Sequence, residues 1–411
     1  MTYPIDEVTD VSDVEIGQRI RALRERRGFS REQLAARAGI SPSSVKSIET
    51  GLRALTLRAA KRLAPHLGVT DLGAFYGEDV HIQLESRPSH PAVPALRKAL
   101  TSWGIAVTGR PESGDYLRAL VDTAWQTWHT SEHQRTEVGR ILPGLLDAAR
   151  RSARLTEVGA ERNRVLAMEA QAYHLAQAFL AHHGERELVY LTVDRGLSSA
   201  LDSGDPLAIA NSVWYAAHVL RAVGRSEEAL SNLDEARVLV EREIPAETGE
   251  ERVVALADLW RCSAITKARM ADQGAWNDMQ QARDLVQSLP EGYVHPWTRC
   301  GRVLVDVEAV MLAVDLGDAE RARELAQDID PDTIPSTDRQ ARHLVEVARA
   351  LQMEGSPEAV LHVLTQAARV SPETVAYTPA GREMAHRLVR TSGASSRRDA
   401  ETLAAHIGLE I

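Results

Sequence analysis

Residues 30–51 read SREQLAARAGISPSSVKSIETG. Ser30 has the short hydroxyl side chain of a helix N-cap, and Gln33, three positions on, is the return half of a capping box. Leu34, Ala35 and Ala38 then recur at helical spacing. Gly39 supplies the positive φ of a sharp turn. Ser41 caps a second helix, with Pro42 at its first position, where no N–H is needed. Val45 and Ile48 form the apolar side of that helix. Two short helices meeting at a glycine turn are the unit from which the rest of the chain is read.

Upstream, IGQRIRALRERRG carries Ile16, Ile20 and Leu23 on one helical face and ends at Gly28. Downstream, Leu57, Ala60, Leu63 and Leu67 mark a fourth helix. Residues 15–70 hold twelve Lys/Arg against four Asp/Glu, a net +8. The whole chain of 411 residues carries −10, so everything outside that segment carries −18. A compact basic module on an acidic body points to a polyanionic partner met at one end only.

The motif starting at Arg31 resembles the helix-turn-helix of the Xre/Cro phage-repressor family. Ala35, Gly39 and the apolar Leu34, Ala38, Ile40, Val45 and Ile48 fall where that family has them. The resemblance implies a double-stranded DNA operator, read by the second motif helix in the major groove. The reading positions would be Pro42, Ser43, Ser44, Lys46 and Ser47. Arg31 would contact a phosphate or an outer base, and Arg53 and Arg58 would contact backbone phosphate. The family commonly pairs the positions of Arg24 and Glu49 inside the module, so neither is expected on DNA. Such modules bind two-fold sites as homodimers.

Three prolines, Pro88, Pro91 and Pro94, fall within seven residues. The domain plan is therefore 15–77 for the DNA-binding module, 78–94 for an extended Pro-containing linker, 95–392 for a second domain and 393–411 for a tail helix. From residue 95 onward the text is Ala-, Leu-, Arg- and Glu-rich, with no strand-like run. Residues 210–241 and 341–372 fit a tetratricopeptide-like helical hairpin. Turn glycines Gly184, Gly224, Gly274, Gly317 and Gly355 are 38–50 apart. The expected fold is all-α, a helix-turn-helix domain followed by a helical-hairpin solenoid. The full chain resembles actinobacterial Xre-type regulators with a tetratricopeptide-like C-terminal domain. In domain order alone it resembles the peptide-pheromone-sensing regulators of Gram-positive bacteria.

The first helix of each hairpin lines the concave face of such a solenoid. In the best repeat those positions are Asn211, Trp214, His218 and Arg221. By the same register His174 and His182 line the preceding unit, and Arg342 and Arg349 the last. Together they suit a peptide or small-molecule effector.

Other function classes find little support. No apolar run approaches the ~18 residues of a membrane span, and MTYPIDEVTDVSDVEIG lacks the regions of a cleaved signal peptide. The two cysteines, Cys262 and Cys300, have no scaffold or zinc spacing, which with the rest suggests a cytoplasmic protein. No phosphate-binding glycine loop, nucleophile elbow or HExxH string is present. His129-Thr-Ser-Glu132-His133 is metal-like only if both histidines share a helix face and a third ligand exists. No enzymatic activity, metal or cofactor is expected. The expected function is a dimeric transcriptional regulator; the alternative is a protein-interaction adaptor whose solenoid grips a partner.

Overall fold

The computed structural model describes residues 13–69, 73–76, 89–102, 107–245 and 249–409. The chain divides after Arg87 into two compact units. Among the described residues it is all-helical, and no helix is long and apolar enough to cross a membrane.

The first unit holds α1 (Asp13–Arg26), α2 (Arg31–Ala38), α3 (Pro42–Glu49), α4 (Leu57–Leu67) and α5 (Gly73–Tyr76). Local chemistry sets the helix ends. Ser30 Oγ accepts from the Gln33 N–H at 3.2 Å, and the Gln33 side chain accepts from the Ser30 N–H at 2.8 Å. Gly39 closes α2 at φ +62°, in the left-handed region that a side chain would strain. Ser41 and Thr56 cap α3 and α4, their hydroxyls accepting from the Ser44 and Ala59 N–H groups, without the returning side-chain half. The buried core is Ile16, Ile20, Leu34, Ala35, Val45, Ile48, Leu63 and Phe75. α1 crosses α3 at Gly17, where a Cβ would stand 2.4 Å from the Ile48 carbonyl oxygen. In Ser30→Ala, loss of the cap should cost about 1 kcal/mol, so the first-turn amides of α2 should exchange about fivefold faster by mass-resolved hydrogen exchange. Unchanged exchange there would deny the capping box any energetic role.

The second unit begins with α6 (Val93–Thr101). Of the extended linker expected over 78–94, residues 78–88 lie outside the described residues, and at its end Val93 and Pro94 are not extended but open a helix. Proline suits a first turn because its missing N–H has no partner there anyway.

Among the described residues, six helical hairpins follow. They are α7 (Gly114–Thr130) with α8 (Gln134–Leu155), α9 (Ala160–Leu180) with α10 (Arg186–Ser203), and α11 (Pro206–Ala222) with α12 (Ser226–Glu243). Then come α13 (Glu250–Arg269) with α14 (Ala275–Gln287), α15 (Arg302–Asp315) with α16 (Ala319–Gln327), and α17 (Thr337–Met353) with α18 (Pro357–Val370). Gly184, Gly224, Gly274, Gly317 and Gly355 each sit in the turn between the two helices of a hairpin. The last helices, α19 (Pro372–Tyr377), α20 (Pro379–Thr391) and α21 (Ala394–His406), finish the array. The tail helix α21 lays Leu403 and Ile407 into the same core as Leu364 of α18 and Leu388 of α20.

The first helices of the hairpins touch in cyclic order: α7, α9, α11, α13, α15, α17 and back to α7. The array therefore closes on itself. The closure is polar. His129 Nε2 donates to the Trp297 carbonyl at 2.8 Å, so its Nδ1 accepts from the Ser336 hydroxyl at 3.0 Å. Gln134 donates to Thr374 Oγ1 at 2.5 Å and to Asp338 Oδ1 at 3.3 Å. The backbone N–H of Arg135 donates to Glu373 at 2.7 Å. The Arg135 guanidinium is fully buried against the rings of Trp128 and Tyr377, at 5.1 and 5.5 Å. Burial lowers that guanidinium to about 10, opposed by the Asp338 carboxylate.

Candidate functional site

In the first unit, Val45 and Ile48 anchor α3 to the core and turn its other face outward. Pro42, Ser43 and Lys46 are exposed, and Ser44 and Ser47 are half-buried. The Ser41 hydroxyl bonds those of Ser43 and Ser44 at 2.9 and 2.8 Å. Arg53, exposed beyond the end of α3, donates to Ser44 Oγ at 3.3 Å. These five positions and Arg53 thus share one outward surface. The Arg58 side chain lies outside the described residues.

Beneath that surface, Glu49 is wholly buried and receives Arg24 Nε at 2.5 Å and Nη2 at 3.2 Å. This is the internal pair that the family resemblance implies. Arg31 joins it, donating from Nε to Glu49 Oε2 at 2.6 Å, with its side chain one-third exposed. The residue expected to reach DNA is therefore also held as the second cation on a buried carboxylate.

In the second unit, seven of the eight residues expected to meet an effector lie on inner helices: His174 on α9, Asn211, Trp214, His218 and Arg221 on α11, Arg342 and Arg349 on α17; the eighth, His182, stands in the turn beyond α9, which ends at Leu180. They do not line an open groove. His174 is 1% exposed, stacks on Tyr215 with ring centroids 4.4 Å apart, and bonds Ser212 Oγ at 2.8 Å. Its burial pushes the imidazole down to about 3. Arg221 Nη1 donates to Thr266 Oγ1 at 3.0 Å, and Nη2 donates to His218 Nδ1 at 2.7 Å. Trp214 packs edge-on to His218 at 4.2 Å. Arg342 pairs with Asp338 at 2.9 Å and meets His182 Nε2 at 3.2 Å. Arg349 pairs with Glu346 and Asp315 at 2.6 and 3.1 Å. The physical reason is the closure: neighbouring inner helices face each other at close range and satisfy one another's polar groups. Asn211 makes no side-chain hydrogen bond among the described residues, and it opens onto a cavity.

Asn211 lines a cavity of about 90 Å³ at one end of the inner helices, with Arg118, Gln171, Glu251, His295 and Trp297 around it. The sequence reading missed these partners. Gln171 was within reach, since it stands three residues before His174 on the same helix face. Arg118 was not, because the α7–α8 hairpin has no glycine in its turn.

The His129–His133 string is not a helical metal pair. α7 ends at Thr130, so His133 stands beyond it, and both nitrogens of His129 are already bonded. Cys262 and Cys300 are buried free thiols, and burial raises both.

No curated protein matches the chain. Residues 15–73 match a family model described as a helix-turn-helix domain, so the N-terminal module is similar to such domains in sequence as well as in fold.

Proposed function

We propose that the protein is a sequence-specific DNA-binding transcriptional regulator acting as a homodimer, a binding protein and not an enzyme. The helical-hairpin array supplies dimerisation and an effector site for a peptide or small molecule. The observation that carries the reading is the outward face of α3. Lys46 is exposed there with no ion-pair partner among the described residues, on a module of net +8. A lysine can take a guanine edge in the major groove. The serines around it are short, which leaves much of the specificity to DNA shape. The acidic remainder repels the duplex and keeps contact to the one module. An effector would act by favouring one arrangement of the array and so changing the spacing of two reading heads on half-sites about one helical turn apart.

Selection of genomic fragments by the full-length protein at two salt concentrations tests this. A short two-fold motif is expected. Lys46→Ala and Ser47→Ala should alter the selected motif, whereas Arg53→Ala should weaken binding to every sequence and reduce the salt slope by about one. Fragments without a motif, lost steeply with salt, would leave only electrostatic binding and turn the search to protein partners of the array.

A further inference from the structure

The 90 Å³ cavity is bounded by four consecutive inner helices, α7, α9, α11 and α13, and roofed by the loop between α14 and α15. Trp297 holds the roof in place. Its indole N–H donates to Asp122 at 2.7 Å and its carbonyl accepts from His129. Inside, Gln171 is 97% buried (3% exposed), yet its side-chain amide has no hydrogen-bond partner among the described residues. The amide of Asn211 has none either. Asn211 is half-buried, so of the two only Gln171 is withdrawn from bulk water; its amide opens onto the cavity, where a polar group left unpaired costs about 1–3 kcal/mol that a polar occupant would recover.

The charges say which kind. Arg118 stands on α7 with its guanidinium 5.5 Å from the Trp297 ring centroid and no carboxylate partner among the described residues. Glu251 stands at the start of α13 with no cationic partner among the described residues. α7 and α13 are the outer two of the four helices, so opposite unpaired charges approach the cavity from opposite sides. The Asp205 carboxylate also lines the cavity but is engaged as the N-cap of α11, accepting from the Leu207 N–H at 3.0 Å. A simple anion would meet the Glu251 carboxylate, and a simple cation the Arg118 guanidinium; a zwitterion satisfies both. Volume sets the size. A cavity of 90 Å³ exceeds the roughly 30 Å³ share of one water and falls short of the roughly 150 Å³ that admits benzene. That leaves room for a few heavy atoms.

We propose that this cavity binds a small free α-amino acid of glycine, alanine or serine size. Arg118 takes its carboxylate and Glu251 its ammonium. The amides of Gln171 and Asn211 bond the remaining polar atoms, and Trp297 excludes longer side chains. The inference rests on reading the array as the effector-binding part, and names the ligand class of that part.

Calorimetry on the full-length protein without DNA, against free L-amino acids, tests the site apart from the operator. At least one small amino acid should bind and raise the melting temperature of the array. Its amide and its N-acetyl derivative should each bind at least about tenfold more weakly, since each lacks one charge-assisted contact. Arg118→Ala, a change at an exposed side chain, should weaken binding about tenfold without altering the far-ultraviolet spectrum. Gln171→Leu, close in size, should weaken it too. No binding by any free amino acid, equal binding of the charge-blocked derivatives, or binding only of peptides would overturn the proposal. Each of those outcomes leaves the operator selection untouched.

Discussion

Acidification from about pH 6.5 to about pH 4 should destabilise the helical-hairpin array steeply, with the urea midpoint falling throughout. Three buried imidazoles lead it, and His218 and His295, also pushed down by burial, add in the same direction. Burial pushes His129 and His174 down to about 3 and His343 to about 4, from an ordinary value of 6.5. In the unfolded chain these groups take up a proton near pH 6.5; in the fold they stay neutral until far lower. The unfolded state therefore binds more protons across the window. The stability they lend is fully present above pH 6.5 and drains as pH falls, to about 4 for His343 and about 3 for the other two. Each contributes about 1.4 kcal/mol per pH unit, so the three together approach about 4 kcal/mol per unit. All seven tryptophans lie at residue 103 or beyond, so their fluorescence reports the array and not the helix-turn-helix module. A midpoint that holds steady from about pH 7 to about pH 5 would contradict the assignment of these histidines as neutral and buried. His174→Gln should flatten the slope by its own share, about 1.4 kcal/mol per unit.

The second large effect belongs to the other unit. Glu49→Ala removes a carboxylate of zero side-chain exposure that serves two guanidiniums, Arg24 and Arg31. Arg24 is itself 7% exposed and also donates to the Phe29 carbonyl at 2.9 Å, so it cannot swing into water cheaply. Breaking one side of a buried pair costs about 3–5 kcal/mol, because the remaining charge is left desolvated. The module is small, and that loss is most of the stability such a unit has. Amide exchange across α1, α2 and α3 should accelerate about a hundredfold or more, while the array keeps its protection. Operator affinity should fall with it, although Glu49 touches no DNA. If exchange in α1 to α3 were unaffected, the buried pair would be neutral in net energy and the module's stability would have to reside in its apolar core.

What could be read in advance follows the range of the interaction concerned. Ser30, Gln33, Gly39 and Ser41 act on backbone groups within three or four residues of themselves, so the motif's helices and turn were visible in the text. The turn glycines work the same way; Gly224, Gly317 and Gly355 take φ of +81°, +84° and +78°. The α7–α8 hairpin turns through Ser131, Glu132 and His133 instead, and it went unmarked. Contacts between distant segments leave no periodic trace. Gly17 looks like a weak point in a helix until the Ile48 carbonyl is placed beside it. The register put Asn211, Trp214, His218 and Arg221 on the inner helix of their hairpin, and the fold agrees. It could not show that Thr266 and Ser212 wait opposite Arg221 and His174 to consume their polar atoms. Arg31 carried two readings at once, and only the distance to Glu49 shows that it also works inward.

The returning contact between α17 and α7 sets a timetable for biosynthesis. In an open stack of hairpins, each unit gains its neighbour as soon as the next one emerges. Here His129 waits for Ser336, 207 residues later, and Gln134 waits for Thr374, 240 residues later. At roughly 5–20 residues per second, translation leaves those surfaces unmatched for some ten seconds or more. During that interval the nascent chain presents Trp128 and Arg135 without Tyr377, the ring that completes their stack. A truncated product that stops before α19 keeps them bare for its whole lifetime. Such fragments should be cleared or held by chaperones, where the corresponding pieces of an open solenoid would survive.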